Sequence, residues 1–261
     1  GEAAATAQPN IALVKYWGKR DAALNLPAAG SLSITLDALH THTRVRFDDA
    51  LDADDITLNG EHDEAQSRKV GAFLDLFRVR AGIATRAHVE SGPDFPTGAG
   101  LASSASGFAA LAVAVDHALG LGLGAHELSV LARRGSGSAA RSIQGGFVEM
   151  AAGTRDDGED AFAAPLLDAS AWPLKVVVAI TTREKKAISS RVGMDRTRDT
   201  SPFYRDWIAT VPGDLATARD AVQTRDFEKL SAVSEASCMA MHAVMLATRP
   251  ALIYWNAATL D

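Results

Sequence analysis

The stretch Pro96–Ser104, PTGAGLASS, joins a strand-like segment to an apolar helix, and this arrangement decides the fold. Before it, residues 84–90 alternate apolar and polar side chains, which predicts a strand. After it, Ser103–Leu119 is rich in alanine and apolar nearly all round, which predicts a buried helix. A glycine-rich turn at the start of a helix brings unpaired backbone N–H groups and a positive dipole end together. The stretch therefore predicts either a phosphate or magnesium-phosphate site, or a turn capped by serine.

Two familiar nucleotide-binding motifs do not describe these glycines. No Lys-Ser or Lys-Thr pair follows Pro96–Ser104, which excludes a Walker A loop, and Ser103 takes the third glycine position of Gly-x-Gly-x-x-Gly. The stretch Gly135–Ser142, GSGSAARS, fits Gly-x-Gly-x-x-Ala, but helical spacing precedes it where a dinucleotide site needs a strand. We therefore reject a dinucleotide site. Ser138 and Arg141 would share one face of a helix, where they could hold a phosphate or a carboxylate.

Two more stretches combine cations with hydroxyl or aromatic groups. Asn10–Arg20, NIALVKYWGKR, places Lys15 and Lys19 on either side of Tyr16 and Trp17. Residues 185–194, KKAISSRVGM, contain two hydroxyls and an arginine. The alternative interpretation of the first stretch is a strand with lysines that extend to solvent. The second stretch repeats the chemistry of an anion site.

Composition limits the class of protein. The chain has 261 residues, a net charge of −6, 47% hydrophobic and 22% charged residues, which excludes disordered and collagen-like classes. Its one cysteine, Cys238, fits a reducing compartment, and no apolar run approaches the roughly 20 residues that span a bilayer. We expect a cytoplasmic protein that binds neither membrane nor nucleic acid. Asp48–Glu64 holds eight acidic residues and no Lys or Arg, whereas the basic clusters lie beside the motifs, which suits a small anionic ligand.

Patterning over the rest of the chain predicts an α+β fold, because strands and helices do not alternate regularly. A boundary near Ser170–Pro173 would separate an N-terminal lobe, 1–172, from a C-terminal lobe, 173–261. Predicted strands are Ser31–Leu36, Thr41–Phe47, Gly146–Ala151 and a buried one at Leu174–Thr181; predicted helices are Glu64–Arg80, His126–Arg133 and most of the chain after Ser201.

The motifs occur together, in a distinctive order. Asn10–Arg20, Pro96–Ser104 and Gly135–Arg141 are followed by Ser189–Met194, SSRVGM, and by Met241–Ala243, MHA. In this order they resemble the diphosphomevalonate decarboxylase family of the GHMP kinase superfamily, over about 7–259. The resemblance implies a two-lobed fold with a ribosomal protein S5 domain 2-like N-terminal lobe, a ferredoxin-like α/β C-terminal lobe, and an active site in the cleft between them.

The resemblance also implies a reaction. ATP phosphorylates the tertiary 3-hydroxyl of (R)-mevalonate 5-diphosphate, phosphate leaves, and the carboxylate departs as CO2, which yields isopentenyl diphosphate for isoprenoid biosynthesis. The cofactors would be ATP and Mg²⁺, with no metal ligands from the protein. Relatives often form homodimers, so a homodimer is the family expectation.

The roles of individual residues follow from the same resemblance. Lys15, Ser138 and Arg141 would be catalytic, with Lys15 stabilising charge at the transferred phosphoryl group and Arg141 pairing with the substrate carboxylate. Two larger sets would bind ligands: the substrate set is Tyr16, Lys19, Ser136, Ser138, Arg141, Ser190, Arg191 and Met194, and the ATP-phosphate set is Gly98, Gly100, Ser103 and Ser104.

The chain departs from the family pattern at its end. Family members continue for some tens of residues with an Asp-Ala-Gly-Pro-like motif that holds the expected catalytic base, and Asp261 stands in a different context. We expect a truncated C-terminal lobe. The alternatives are a related decarboxylase or 3-kinase acting on mevalonate 5-phosphate, or a non-catalytic binder of nucleotide or isoprenoid intermediates. Gly98, where relatives often have alanine, should be harmless in a loop.

Overall fold

The computed structural model describes residues 1–95, 103–182 and 187–260. Within these ranges the chain forms two four-stranded sheets, a two-stranded ribbon and seven α-helices, which confirms the α+β prediction. The strands are β1 (Glu2–Ala7), β2 (Asn10–Val14), β3 (Lys19–Asp21), β4 (Leu26–Pro27), β5 (Ser31–Thr35), β6 (Thr41–Asp48), β7 (Asp55–Leu58), β8 (Arg86–Pro93), β9 (Phe147–Met150) and β10 (Ala163–Leu167).

The helices begin and end at residues suited to those positions. In α1, for example, Asp63 accepts a hydrogen bond from the Gln66 backbone, and Gly82 ends the helix at φ 66°. None of the described helices is both long enough and apolar enough to cross a membrane. The helices are α1 (Glu64–Ala81), α2 (Ser103–Leu119), α3 (Ala125–Gly135), α4 (Ser190–Thr200), α5 (Tyr204–Thr224), α6 (Phe227–Leu246) and α7 (Ala257–Leu260), with 3₁₀ turns at Gly137–Ser142 and Ala169–Ala171.

The first sheet has the strand order β1-β6-β8-β7 and packs against α1, α2 and α3. Its inner face follows the alternation seen in the sequence, because every second residue of β6 from Thr41 to Phe47 is buried. Phe73, Phe77 and Phe108 meet edge to face between α1 and α2. These residues form the centre of core 2, which joins the helices to this sheet.

The second sheet has the order β10-β9-β5-β2 and packs against α5 and α6. Its apolar core, core 1, combines Val14 and Phe147 from the sheet with Trp207 and Val211 from α5. Residues on both sides of position 173 therefore share one core. The two-stranded ribbon β3-β4 lies next to α4, close to the point where β2 ends.

Most predicted elements are confirmed. Ser31–Leu36 and Thr41–Phe47 are strands, although they lie in different sheets, and the predicted helices at Glu64–Arg80, Ser103–Leu119 and His126–Arg133 are present. Strand β8 extends through Pro93 into residues expected to be loop, because β6 continues to pair with it as far as Thr41.

The buried strand predicted at Leu174–Thr181 is wrong. These residues take no regular secondary structure, and Val177 is 92% exposed. A β-branched sequence favours extended backbone, but a strand also needs a hydrogen-bonding neighbour and an apolar surface. In the described parts of the chain no strand pairs with this segment. The regular elements described between 173 and 260 are all helices.

Candidate active site

The 3₁₀ turn Gly137–Ser142 carries Arg141 into the interior. Arg141 is 2% exposed; its Nε donates to Asn10 Oδ1 over 3.2 Å and one terminal nitrogen donates to Ser31 Oγ over 2.6 Å. Burial lowers the pKa of this guanidinium to about 10. Among the described residues no carboxylate pairs with it. A buried cation held by neutral groups is suited to an incoming anion.

Asn10 was missed as a functional residue in the sequence. It is 2% exposed, and its Nδ2 donates to the Ser138 carbonyl over 3.1 Å and to Ser142 Oγ over 2.8 Å while its Oδ1 receives Arg141. Asn10 therefore orients Arg141 and ties the turn to β2. A polar residue at the head of an apolar strand was the only available signal.

Lys15 and Tyr16 follow β2 directly and face the same region. Burial lowers the pKa of Lys15, with a smaller contribution from Arg141 in the same direction, and Lys15 Nζ donates to the Ala12 carbonyl over 2.9 Å. Burial raises the pKa of Tyr16 to about 12, and its hydroxyl is buried without a partner among the described residues. The guanidinium carbon of Arg141 lies 5.8 Å from the centre of the Tyr16 ring.

Helix α6 closes the other side of Lys15. The Lys15 backbone N–H donates to Ser237 Oγ over 3.0 Å. One turn further along, His242 packs against Trp255 with ring centres 4.3 Å apart, and burial together with Lys15 lowers its pKa. The Met241–Ala243 motif thus lies beside the lysine that the sequence placed near the reaction.

Three cations, Lys19, Lys69 and Arg191, lie near one another, and Arg191 also acts on Tyr16. Burial and then Arg191 lower the pKa of Lys19, which is 5% exposed, to about 8; Asp195 acts in the opposite direction. Lys69, on α1, has its pKa lowered to about 8 by burial, Arg191 and Lys19, and its ammonium lies 4.5 Å from the centre of the Phe108 ring. Like charges collect in this way where a multivalent anion binds. No local pattern distinguishes Lys69 from a lysine on a solvated helix face.

Helix α4 brings the Ser189–Met194 motif to this cluster. Ser189 caps the helix, with its Oγ accepting from the Val192 backbone over 3.4 Å. Ser190 and Arg191 lie in the first turn, where Arg191 is exposed, while Met194 turns inward and is 7% exposed in core 1. Met194 therefore holds this end of α4 against core 1, while Arg191 stays on the surface.

The serine motifs approach one another across the site. Ser104 Oγ lies 3.3 Å from Ser136 Oγ, which lies 3.4 Å from Ser138 Oγ. Ser103 begins α2, whose first turn holds no acidic residue. The residues predicted to hold ATP phosphates thus adjoin those predicted to hold substrate, except that Gly98 and Gly100 lie outside the described residues.

Comparisons with known proteins agree with this geometry. A family model described as diphosphomevalonate decarboxylase-like N-terminal domain matches residues 7–163, and one described as mevalonate 5-diphosphate decarboxylase C-terminal domain matches 176–260. The diphosphomevalonate decarboxylase of Ganoderma lucidum is 38% identical over 272 residues, covering 98% of this chain and 68% of that protein.

Solved structures extend the likeness to three dimensions. The mevalonate diphosphate decarboxylase from Enterococcus faecalis superposes with a TM-score of 0.88 at 44% identity, over 99% of this chain and 79% of that one. A structure of MDDEF in complex with MVAPP, AMPPCP and magnesium gives a TM-score of 0.89 at 43% identity, with 99% and 79% covered. Both halves of this chain thus match one family in sequence and in fold, and the chain belongs to the diphosphomevalonate decarboxylase family.

Proposed function

We propose that this enzyme converts (R)-mevalonate 5-diphosphate and ATP into isopentenyl diphosphate, ADP, phosphate and CO2. The observation that carries the proposal is the group of Lys19, Lys69 and Arg191 together with the buried Arg141, which pairs with no carboxylate among the described residues; Tyr16 feels the charge of both Arg141 and Arg191. Such a site suits a substrate with a diphosphate at one end and a carboxylate at the other. The MDDEF structure with MVAPP, AMPPCP and magnesium belongs to a relative that holds ligands of these classes.

The diphosphate is assigned to the cation cluster. Tyr16, Lys19, Ser190 and Arg191 were expected there, with Met194 bordering it, and we add Lys69. The unpartnered Tyr16 hydroxyl supports this assignment, because a buried donor without an acceptor is costly and a phosphate oxygen would satisfy it. Binding would also raise the lowered pKa values of both lysines, because an adjacent anion favours their charged forms.

The reacting end is assigned to Lys15, Ser138 and Arg141, with Ser136 lining the same pocket. Arg141 would pair with the carboxylate and hold it until the C–C bond breaks. Lys15 would stabilise charge on the phosphoryl group as it moves to the 3-hydroxyl. Loss of that phosphate and departure of CO2 then leave the bonding electrons in the new C=C bond. Such catalysis depends on positioning and on charge stabilisation. The hydrogen bonds that fix Arg141 to Asn10 and Ser31 contribute to the positioning.

ATP is assigned to the start of α2, with Ser103, Ser104, Gly98 and Gly100 around its phosphates. The residues fit this ligand, because the first turn offers hydroxyls and N–H groups and no acidic side chain. Bound ATP with Mg²⁺ supplies the phosphoryl group and partly neutralises its charge. The serine hydroxyls would orient the phosphates toward Ser136 and Ser138.

The organisation of the chain is proposed on the same footing. We place the lobe boundary at 172–173, which falls in the interval between the two matched family models. A cytoplasmic location is supported by the single free cysteine, Cys238. A homodimer is proposed from family practice, and the sedimentation velocity of the purified protein would test it.

The test is to count products from mevalonate 5-diphosphate, ATP and Mg²⁺. ADP, phosphate and CO2 should form in equal amounts, and mevalonate 5-phosphate should react far more slowly at equal concentration. ADP without CO2 would mean a 3-kinase, and faster turnover of the monophosphate would reassign the substrate. Nucleotide binding without ADP formation would mean a non-catalytic binder.

A further inference from the structure

Thr197 lies at the centre of a buried hydrogen-bond network that joins three segments. It is 0% exposed in α4, and its Oγ1 accepts from the Trp17 indole N–H over 3.1 Å. The Thr248 hydroxyl lies 3.2 Å from both Thr197 Oγ1 and the Val244 carbonyl, and its single proton can serve one of them at a time. The Thr197 hydroxyl proton goes to the Gly193 carbonyl over 2.9 Å. The Thr197 oxygen therefore accepts the indole N–H and donates to its own helix, and it has one more acceptor position that the Thr248 hydroxyl can use.

Packing holds the same segments in close contact. A Cβ on Gly193 would lie 3.1 Å from Trp17 Cζ2 and Cη2 and 2.7 Å from Tyr254 Oη, so the first turn of α4 rests directly on the indole. Tyr254 meets Trp17 edge to face at 6.0 Å and donates to the Ile188 carbonyl over 3.0 Å. Trp17 is thus enclosed by the helix and by the segment that follows α6.

The two elements joined at Trp17 carry the cations of the diphosphate site. Trp17 lies between Tyr16 and Lys19 in sequence, and Arg191 lies in the turn of α4 that rests on the indole. Lys19 and Arg191 repel each other: after burial, Arg191 is the largest influence that lowers the pKa of Lys19, and Asp195 partly offsets it. A further acidic residue between them would relieve more of the repulsion and also compete with the substrate. A neutral indole–hydroxyl bond holds the elements together and leaves both charges available.

We propose that Thr197 is a positioning residue for the substrate diphosphate, acting through Trp17. It touches no substrate; it sets the spacing between the segment of Tyr16 and Lys19 and the helix turn of Arg191. This inference rests on the proposed function, since it takes that site to bind a diphosphate.

The test compares substrate KM with kcat in Thr197→Val, which keeps the shape and removes the hydroxyl. The KM for mevalonate 5-diphosphate should rise about tenfold, because the Trp17 indole loses its acceptor, while kcat and the KM for ATP stay within about threefold. Thr197→Ser should restore most of the loss. Trp17→Phe removes the donor and should raise the same KM, and the double variant should be little worse than either single variant.

Thr217→Val is the matched control. Thr217 makes the same bond to the carbonyl four residues earlier, Gly213 over 3.0 Å, but it lies exposed on α5. Its kinetics should equal those of the wild type. Should Thr197→Val fold poorly, Trp17→Phe and Thr197→Ser carry the same comparison.

The outcomes separate this inference from the function beneath it. An unchanged KM in Thr197→Val and Trp17→Phe, or a fall in kcat and melting temperature alone, overturns the positioning role. Arg191→Ala tests the diphosphate assignment separately. If it raises the substrate KM more than tenfold while the Thr197 and Trp17 variants do not, the diphosphate site is supported and only the positioning role of Thr197 is lost. If Arg191→Ala also leaves KM unchanged, the diphosphate assignment itself fails.

Discussion

At the scale of single residues, the site contains lysines that lose their positive charge at a lower pH than ordinary lysines do. Lys19 and Lys69 both have pKa values lowered to about 8, first by burial and then by neighbouring cations. Raising the pH through 8 therefore removes positive charge from the free enzyme, and substrate binding should weaken in the same interval.

The first prediction follows from that sign. Log kcat/KM for mevalonate 5-diphosphate should be level up to about pH 7.5 and fall above pH 8, by about tenfold or more at pH 9.5. Lys19→Arg cannot lose its charge in this range, so its decline should be shallower. A profile that stays level from pH 7.5 to 9.5 in the wild type would show that these lysines do not carry the binding.

Arg141 supports a second prediction at this scale. Arg141→Ala should lower kcat/KM at least a hundredfold, since it removes the buried partner of the substrate carboxylate, about 2.7 kcal/mol at 1.36 kcal/mol per factor of ten. Arg44→Ala is the control. Arg44 is an exposed arginine that pairs with Glu2 on the first sheet, and its loss should leave the kinetics unchanged. A loss of tenfold or less in Arg141→Ala would contradict the carboxylate role.

At the scale of elements, the 3₁₀ turn and the end of β2 fit together through a glycine. A Cβ on Gly137 would lie 2.1 Å from the Tyr16 hydroxyl, so only glycine lets that ring approach the turn that carries Arg141. The ring and the turn then frame one side of the substrate site. A side chain at 137 must move one of them.

The third prediction tests this fit. Gly137→Ala should raise the KM for mevalonate 5-diphosphate more than tenfold, because Tyr16 is displaced, and thermal melting should show a smaller effect on stability. Gly213→Ala in α5, where an added Cβ meets nothing within 4 Å, serves as the control and should match the wild type. Equal kinetics for the two alanine variants would mean that the turn tolerates movement of Tyr16.

At the scale of the whole molecule, core 1 crosses the proposed lobe boundary. Val14 and Phe147 pack with Trp207 and Val211, while core 2 lies under the first sheet. Of the four tryptophans, Trp17 and Trp207 belong to core 1, Trp172 packs against that core, and Trp255 packs against His242 of α6. Tryptophan fluorescence therefore follows core 1 and its surroundings, whereas far-ultraviolet circular dichroism follows both cores.

The fourth prediction is that the two cores unfold together. Leu74→Ala, in core 2, should lower the free energy of unfolding by about 2–5 kcal/mol and shift the fluorescence and dichroism midpoints equally. Val79→Ala, at a side chain that is 81% exposed, should change it by no more than about 0.5 kcal/mol. If Leu74→Ala leaves the midpoint of the fluorescence transition unchanged, the cores unfold independently.

Elements whose signals are local could be predicted from the order of residues alone. The alternation in β6, the apolar α2 and the helical spacing of α1 and α3 could be predicted because period and capping act over a few residues. The family could also be predicted from the sequence, since Asn10–Arg20 and Gly135–Arg141 are distinctive in composition and order. The helical spacing that argued against a dinucleotide site at Gly135–Ser142 is confirmed, because helix α3 precedes this stretch.

Which side chains meet became visible only in the folded chain. Asn10 with Arg141, and Lys69 with Lys19 and Arg191, are brought together from distant parts of the chain, and no local pattern encodes such contacts. The same reason explains the error at Leu174–Thr181, where β-branched residues favour extended backbone but a strand depends on a neighbour. Short-range conformational preferences depend on neighbouring residues in the sequence, whereas burial, charge repulsion and hydrogen-bond partners arise when distant segments pack.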